Sequence, residues 1–376
     1  MLRESCSNAL HSQRQLTTAA VTAWTGYLQE SASRGVSPLG AATDCLEFWR
    51  AVISRRPPEF THPHTVRMRR ASARLLQFSP VTDAVPTLVL APLSGHASCV
   101  MDLARGHSLV QTAMTAGLTG VHCLDWTPSD EWEPAPTSAT GIDTVVAAVD
   151  AAIEHLGVPV NLVSFSQSGW LAAMYTARHP DRVHTLTVAS APIDFSLGTP
   201  LPRGLRAATR GVRRATRMAR PSAAGQAAAL RWAEWPEQIG RLADMWAHIG
   251  SPDRTDAHIA LESWLDTPCG VPTDFYRWTL THLFAGNELV RGKLVVGGGA
   301  VDLAAITCPL FLLTGSRDRI VPSRQVLALA DRVSTPPHRI VRRTVDCGHL
   351  DMIVDASVLR RAWRPILRDV AALSQR

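Results

Sequence analysis

The sequence predicts an α/β protein in which a mostly parallel, doubly wound β-sheet is interrupted by an inserted helical cap. Short apolar runs that fit buried strands alternate with runs whose apolar residues recur at helical spacing, which is typical of a sheet with helices on both faces. The helical run 141–156, for example, has a continuous apolar face. The predicted strands are 65–69, 73–78, 86–91, 119–126, 159–165, 184–190, 309–314 and 338–345, and further helical runs are 106–117 and 169–179.

The stretch 196–300 breaks this alternation and predicts a mainly helical cap. We therefore divide the chain into an N-terminal helical region (1–60), a first part of the α/β core (61–195), the cap (196–300) and a second part of the core (301–376). Caps of this kind cover a pocket of the core and exclude water from it. The tryptophans of the cap either line that pocket or pack the cap; they are Trp232, Trp235, Trp246, Trp264 and Trp278.

Composition excludes several classes of protein. A chain of 376 residues with 46% apolar residues is long and apolar enough for one core with a cap. No apolar run reaches the about 18 residues of a transmembrane helix, and the N-terminus lacks the apolar region of a secretory signal, so we expect a cytoplasmic protein. Seven cysteines without a C-x-x-C pair argue against a disulfide framework or a zinc site. The sequence predicts no metal and no bound cofactor.

The net charge of +6 is concentrated in one arginine-rich segment of the cap. Arg206, Arg210, Arg213 and Arg217 share one face of any helix formed there. Such a face either is simply solvated or binds an anion, such as the phosphates of coenzyme A, an acidic partner or a membrane surface. Nucleic acid is not expected, because no recognition motif accompanies the arginines.

The segment 160–170 has the pattern of a nucleophile elbow, in which a strand, a sharp turn and a helix follow one another. Ser166 is at the predicted tip of the turn. Small residues, Ser164 and Ser168, flank it where glycine is usual, and Gly169 follows one position late. The alternative is a serine-rich turn without chemistry.

Two later segments favour the catalytic interpretation. Asp318 follows a predicted strand directly, and His349 follows the last one. The order serine, acid, histidine is that of α/β-hydrolases, in which the histidine takes the proton of the serine and the acid orients the histidine. For the acid, Asp194, Asp346 and Asp351 are alternatives, which we interpret as loop or helix-capping residues.

Over about residues 48–355 the chain resembles the polyhydroxyalkanoate synthase family. The motifs that carry the resemblance lie in the stretch that joins the predicted cap to the second part of the core, in the loop of Asp318 and near the early strands. They are Met101–Leu103 with Ser108–Val110, Leu124–Trp126, Glu262–Asp266, Asp274–Trp278, Asn287–Leu294, Val301–Leu303, Ile306–Pro309 and Gly315–Pro322.

The chain departs from that family at the nucleophile, because the synthases carry cysteine where this chain has Ser166. A thiolate suits the exchange of a growing acyl chain between sulfurs, whereas a serine ester is ordinary for hydrolysis. The loop Ala91–His96 resembles the corresponding loop of intracellular polyhydroxybutyrate depolymerases. The resemblance implies an oxyanion hole formed by the Gln167 N–H together with this loop, whose residues are Leu93, Ser94, Gly95 and His96. For His96 the alternative is a polar loop residue.

Three functions follow as hypotheses. The first is a serine esterase acting on hydroxyacyl esters such as polyhydroxyalkanoate or its oligomers. The second is a synthase-like acyltransferase that uses hydroxyacyl-coenzyme A as substrate, and the third is a non-catalytic, granule-associated protein. A polyhydroxyalkanoate granule surface, a partner subunit and a homodimer stay open as partners.

Overall fold

The computed structural model describes residues 2–128, 141–157, 159–197 and 222–375, with side chains from residue 17 onward. Its centre is an eight-stranded sheet with the order β1-β2-β6-β3-β7-β8-β11-β12. The strands are β1 (Thr65–Arg69), β2 (Ala73–Gln77), β3 (Thr87–Leu90), β6 (Val121–Trp126), β7 (Val160–Phe165), β8 (Val183–Ala189), β11 (Leu310–Gly315) and β12 (Ile340–Val345). Each coincides with a predicted strand to within two residues at either end, and the predicted fold class is confirmed.

The direction of the strands divides the sheet in two. Strands β1 and β2 pair antiparallel with each other, and β2 pairs antiparallel with β6. From β6 to β12 every neighbouring pair is parallel. All residues of β3, β6, β7 and β11 are buried, because helices cover both faces of the sheet there. The carboxyl ends of these strands therefore form one edge on which loop side chains can meet.

Along the chain, the helices of the core lie between the strands of the sheet or follow the last strand. They are α3 (Leu109–Thr115), α4 (Gly141–Leu156), α5 (Gln167–Arg178), α10 (Ser323–Leu327), α11 (Asp351–Val354), α12 (Ala356–Val358) and α13 (Arg364–Ser374). The apolar face predicted for 141–156 is buried against the core, as Val145, Val149 and Ile153 illustrate. A two-strand hairpin, β4 (Asp102–Ala104) and β5 (His107–Ser108), precedes α3 and was not predicted.

Two N-terminal helices, α1 (Leu2–Arg34) and α2 (Pro38–Ile53), pack against the cap. Ser37 caps α2 by accepting a hydrogen bond from the Gly40 N–H, and Pro38 fills the first position, where a missing N–H costs nothing. The indole of Trp246, on the cap, contacts the rings of Trp24, Tyr27 and Phe48. This aromatic cluster attaches the N-terminal helices to the cap.

The described part of the stretch 196–300 is helical as far as residue 285. Its helices are α6 (Ala223–Ala233), α7 (Trp235–Ala247), α8 (Pro252–Asp266) and α9 (Thr273–Trp278), and α9 continues as a π-helical segment over Thr279–Ala285. A short hairpin, β9 (Val295–Val296) and β10 (Gly299–Ala300), leads back to the core. The arginines predicted to bind an anion, Arg206, Arg210, Arg213 and Arg217, lie outside the described residues.

The five cap tryptophans have different environments. Trp264 and Trp278 are buried, and Trp278 packs on Trp170 of the core. Trp232 and Trp235 are 85% and 61% exposed and pack little of the cap. In the described part of the chain, no helix combines the length and the apolar character needed to cross a membrane.

Candidate active site

Ser166 is at the tip of a strained turn between β7 and α5. Its φ and ψ are 56° and −128°, in a region that residues other than glycine rarely adopt. Such a conformation costs about 1–3 kcal/mol and persists only where its surroundings impose it. The Ser166 N–H donates to the Ala189 carbonyl at the end of β8 (2.9 Å), which holds the turn against the neighbouring strand. The serine side chain consequently projects beyond the sheet.

The two flanking serines explain how this turn forms without glycines at the usual positions. The Ser164 hydroxyl donates to the Thr187 carbonyl of β8 (2.8 Å). The Ser168 hydroxyl lies 2.6 Å from the Leu90 carbonyl of β3 and accepts the Phe165 N–H (3.0 Å). Because β3 and β8 are the two neighbours of β7, these hydroxyls tie the turn to both sides of the sheet.

Gly169 is the residue at which a side chain has no room. A Cβ at this position would lie 2.2 Å from the Cβ of Ala191 and 2.9 Å from a methyl of Val188. Atoms that close overlap, so α5 can approach β8 only because residue 169 is glycine. The glycine that appeared one position late in the sequence is thus required for packing of the helix behind Ser166.

Ser166, His349 and Asp318 form a continuous chain of hydrogen bonds. The distance from Ser166 Oγ to His349 Nε2 is 3.0 Å, and that from His349 Nδ1 to Asp318 Oδ2 is 2.8 Å. The other oxygen of Asp318 accepts the N–H groups of Ile320 (2.9 Å) and Val321 (2.7 Å). These backbone donors fix the carboxylate, so that it can orient the imidazole. The three residues, which follow β7, β11 and β12, are brought together at one edge of the sheet.

The surroundings of His349 favour its protonated form. Burial by itself would lower the pKa of the imidazole, but the carboxylate of Asp318, its hydrogen bond to the ring, and the charges of Glu234 and Asp351 outweigh it and raise the pKa. A histidine in this environment is a stronger base than a free imidazole. It can accept a proton from a hydroxyl at Nε2 and hold the resulting charge beside Asp318.

The other three candidate acids are occupied elsewhere. Asp194 accepts hydrogen bonds from Ser196 and Asn287. Asp346 is exposed and pairs with Arg317. Asp351 is near His349, but it pairs with Arg241 (2.7 Å). Asp318 is therefore the candidate acid that contacts the imidazole directly.

A buried ion-pair network behind His349 was missed by the sequence reasoning. Arg241 of the cap pairs with both Glu234 (3.1 Å) and Asp351 (2.7 Å), and Glu234 accepts the Leu350 N–H (3.4 Å). Burial raises the pKa of Glu234, although the charge of Arg241 opposes this. The network joins the cap to the loop that carries His349. No local motif marks it, since the hydrogen-bonded pairs of the network are 7, 110 and 116 residues apart in the sequence.

The predicted oxyanion residues divide into two groups. Gln167 is the first residue of α5, where N–H groups have no partner within the helix, and both Gln167 and Ser94 line the cavity that contains Ser166. Leu93 and His96 are buried outside that lining, and the His96 ring packs on Trp264 with centroids 4.5 Å apart. Burial lowers the pKa of His96, so its ring is neutral near pH 7. Gly95, with φ +83°, accepts the Cys269 N–H (2.7 Å), which attaches the loop to the cap.

Ser166 and His349 open onto a cavity of about 380 Å³ between core and cap. The core contributes Ile320, Leu350 and Ile353 beside the reactive side chains. The cap contributes a mainly apolar wall of Gln226, Ala229, Leu230, Ala233, Trp264, Val271, Phe275, Tyr276, Thr279, Leu280 and Phe284. A narrow apolar cavity ending at a buried hydroxyl and imidazole suits an acyl chain whose carbonyl meets the serine. Within the described residues, no three His, Cys, Asp or Glu side chains form a group that could hold a metal ion.

Comparison with known proteins agrees with this architecture. A family model described as the alpha/beta hydrolase fold matches residues 120–356. The chain is 25% identical over 268 residues to the poly(3-hydroxyalkanoate) polymerase subunit PhaC of Allochromatium vinosum, covering 69% of this chain and 74% of that one. It is likewise 25% identical to the PhaC subunit of Synechocystis over 300 residues, 76% of this chain and 78% of the relative.

Solved structures show the same fold at low sequence identity. A monoacylglycerol lipase of Paleococcus ferrophilus superposes on 80% of this chain and 99% of its own, with a TM-score of 0.50 and 15% identity. An epoxide hydrolase of Bacillus megaterium superposes on 81% of this chain and 99% of its own, with a TM-score of 0.50 and 12% identity. These likenesses concern the fold alone.

Proposed function

Because the chain belongs to the α/β-hydrolase-fold family and is an enzyme of the hydrolase or synthase kind, we propose that it is a serine esterase. Its proposed substrates are hydroxyacyl esters such as polyhydroxyalkanoate or its oligomers. The observation that carries the proposal is the hydrogen-bond chain from the Ser166 hydroxyl through His349 to Asp318. An oxygen nucleophile activated in this way forms an acyl ester that water can hydrolyse.

In the proposed mechanism, Ser166 Oγ attacks the ester carbonyl carbon while its proton passes to His349 Nε2. Two backbone N–H groups stabilise the negative oxygen of the tetrahedral intermediate. One is that of Gln167, and the other comes from the 93–96 loop in the neighbourhood of Ser94. The bond from that carbon to the ester oxygen then breaks, and His349 protonates the departing alcohol. Water then attacks the acyl-serine carbonyl carbon while its proton passes to His349 Nε2. The bond from that carbon to Ser166 Oγ breaks, His349 returns the proton to Ser166, and the hydroxy acid is released.

A second candidate function is acyl transfer from hydroxyacyl-coenzyme A to a hydroxyl acceptor. The observation that favours it is the similarity to polymerase subunits over about two thirds to three quarters of the chain. Both half-reactions then change. In the first, the thioester C–S bond breaks and His349 protonates the departing thiol of coenzyme A, and in the second, the hydroxyl end of an oligomer attacks the acyl-serine in place of water. A polymer granule surface or a second subunit belongs to this candidate as a partner.

The test uses the purified protein with two substrates in parallel, a soluble 3-hydroxybutyrate trimer and 3-hydroxybutyryl-coenzyme A. Mass spectrometry follows the acyl products and a thiol reagent follows coenzyme A. The esterase proposal expects monomer and dimer from the trimer. It also expects the Ser166→Ala variant to lose at least about 1,000-fold in rate, with the exposed Ser33→Ala as control. Longer oligomers with release of coenzyme A would instead establish acyl transfer, and full activity of Ser166→Ala would reject both mechanisms.

A further inference from the structure

The side chain of Gln226, on helix α6 of the cap, has an unused hydrogen-bonding amide in the wall of the acyl cavity. Its nitrogen and its oxygen are both buried, and neither has a hydrogen-bond partner among the described residues. Leaving a buried polar group without a hydrogen bond destabilises the folded protein, because the group loses its contacts to water and gains nothing in return. Native proteins keep such groups rarely, and an orphaned amide in a binding cavity points to a group supplied by the ligand.

The position of this amide relates it to the reacting centre. Gln226 Oε1 lies 2.6 Å from the point where a Cβ on Gly95 would be, so the amide rests on the loop proposed to supply an oxyanion donor. Gln226 also shares the cavity lining with Ser94, Ser166 and Gln167. Gln226 therefore belongs to the wall of the cavity that an acyl chain bound at Ser166 would occupy.

Three other polar side chains of the cavity already have hydrogen-bond partners within the protein. The Thr279 hydroxyl donates to the Phe275 carbonyl (2.9 Å), and Ser166 and His349 bind each other. On the cap, the neighbours of Gln226 in the lining are apolar, among them Ala229, Leu230 and Val271. Within this mainly apolar wall, the amide of Gln226 is a donor and an acceptor without a partner among the described residues.

We propose that Gln226 selects hydroxyacyl substrates by hydrogen bonding the hydroxyl group of the acyl chain. The inference rests on the proposed esterase function and assigns its substrate specificity. A hydroxyl both donates and accepts, which matches an amide with both capacities unused, whereas an unsubstituted acyl chain offers neither. The terminal torsion of glutamine is broad, so the amide turns towards the hydroxyl at small cost.

The experiment compares 4-nitrophenyl 3-hydroxybutyrate with 4-nitrophenyl butyrate, which differ only in that hydroxyl, for the wild type and Gln226→Met. Methionine keeps nearly the volume of glutamine and removes the amide. We expect kcat/KM for the hydroxy ester to fall about 10- to 100-fold while that for the butyrate ester changes less than about 2-fold. The exposed Gln29→Leu variant is the control and should change neither rate.

Each other outcome contradicts the inference in a distinct way. An equal loss on both esters would mean that Gln226 supports the oxyanion loop or the fold, and unchanged rates would mean that a water molecule satisfies the amide. The melting temperature separates a folding defect, because removing an unsatisfied amide should leave stability unchanged or slightly higher. If the wild type cleaves neither ester, both the proposed esterase function and this inference are rejected. If the wild type cleaves both esters but Gln226→Met does not change the preference between them, only the inference about Gln226 is rejected and the esterase function stands.

Discussion

The two walls of the cavity satisfy their polar groups in opposite ways. On the core side, Ser166, His349 and Asp318 are all hydrogen bonded, and backbone N–H groups hold the carboxylate in place. On the cap side the wall is mainly apolar, and the amide of Gln226 has no partner among the described residues. The polar groups on the core side are thus positioned before any substrate binds. On the cap side, we propose that the amide of Gln226 receives its hydrogen-bond partner from the substrate.

The two walls are nevertheless connected. Glu234 and Arg241, from the cap, pair with each other, and Arg241 also pairs with Asp351 of the core. Glu234 accepts the Leu350 N–H as well, next to His349. A movement of the cap that displaces Glu234 should therefore change the pKa of His349, because the charge of Glu234 helps to raise it. The predictions below ask how far the division between a chemical core and a selective cap holds.

The largest effect is expected from Asp318→Asn. The amide cannot stabilise the imidazolium, so kcat should fall by about 10,000-fold on every ester tested, irrespective of its acyl group. Loss of the carboxylate also removes a cause of the raised pKa of His349. Since His349 acts as a base only when neutral, the acidic limb of kcat/KM should move to lower pH. Stopped-flow and steady-state pH profiles measure both.

The control for this variant is Asp346→Asn, which changes an exposed acid three residues before His349. Its rate should stay within a factor of about 2 of the wild type. A comparable loss in both variants would show that general disturbance of the loop, and not the contact to the imidazole, explains the effect.

A smaller effect is expected on stability when a glycine is replaced by alanine. The replacement should destabilise the protein at Gly169 of the core and stabilise it at Gly240 of the cap. Gly169→Ala places a Cβ 2.2 Å from Ala191, and we expect it to lower the free energy of unfolding by about 1–3 kcal/mol. Gly240, within helix α7, has no atom within 4 Å of the added Cβ. Gly240→Ala should therefore raise stability by up to about 1 kcal/mol through helix propensity. Urea unfolding of the two variants tests the pair, and equal effects would contradict the packing argument.

The smallest effect is expected from Glu234→Gln, which tests the connection between the walls. The charge of Glu234 helps to raise the pKa of His349, so its removal should move the acidic limb of kcat/KM to lower pH, with kcat changed by less than about 10-fold. The control is Glu237→Gln, which changes a half-buried acid in the first turn of α7, the helix that Glu234 precedes. An identical pH profile for wild type and Glu234→Gln would show that the cap does not influence the base.

Much of the core could be predicted because its signals are local. The central strands β3, β7, β8 and β11 are mainly apolar runs bounded by polar or turn residues, and the outer strands β1 and β12 alternate more exposed with less exposed residues. The juxtaposition of Ser166, Asp318 and His349 followed from their places after three of these strands. Their catalytic roles stay predictions until the variants are measured.

The cap could not be predicted in the same detail, because its important contacts join distant parts of the chain. Nothing near Glu234 in the sequence indicates that it pairs with Arg241 and supports the loop of His349. Trp232 and Trp264 are the same residue type in neighbouring helices, yet one is 85% exposed and the other lines the cavity. Such differences depend on the angle at which each helix meets the core, which periodicity does not specify.

The serines beside Ser166 illustrate the same limit on a smaller scale. Their small size was evident from the sequence, but the hydrogen bonds of Ser164 to β8 and of Ser168 to β3 depend on which strands lie next to β7. Strand order is a tertiary property. The turn was therefore recognised while the reason for its serines was not.

The order in which the strands join the sheet has a consequence for how the protein is made. Ser166 and His349 are 183 residues apart, and the strand that pairs with β8, β11, is synthesised only after the cap. At about 5–20 residues per second, the ribosome delivers the histidine about 10 to 40 s after the serine. For part of that interval, after β8 ends at Ala189 and before β11 begins at Leu310, the outer edge of β8 is an unpaired, apolar strand edge, the kind that associates with other chains. We therefore expect the nascent chain to be most prone to association at β8 until β11 pairs with it.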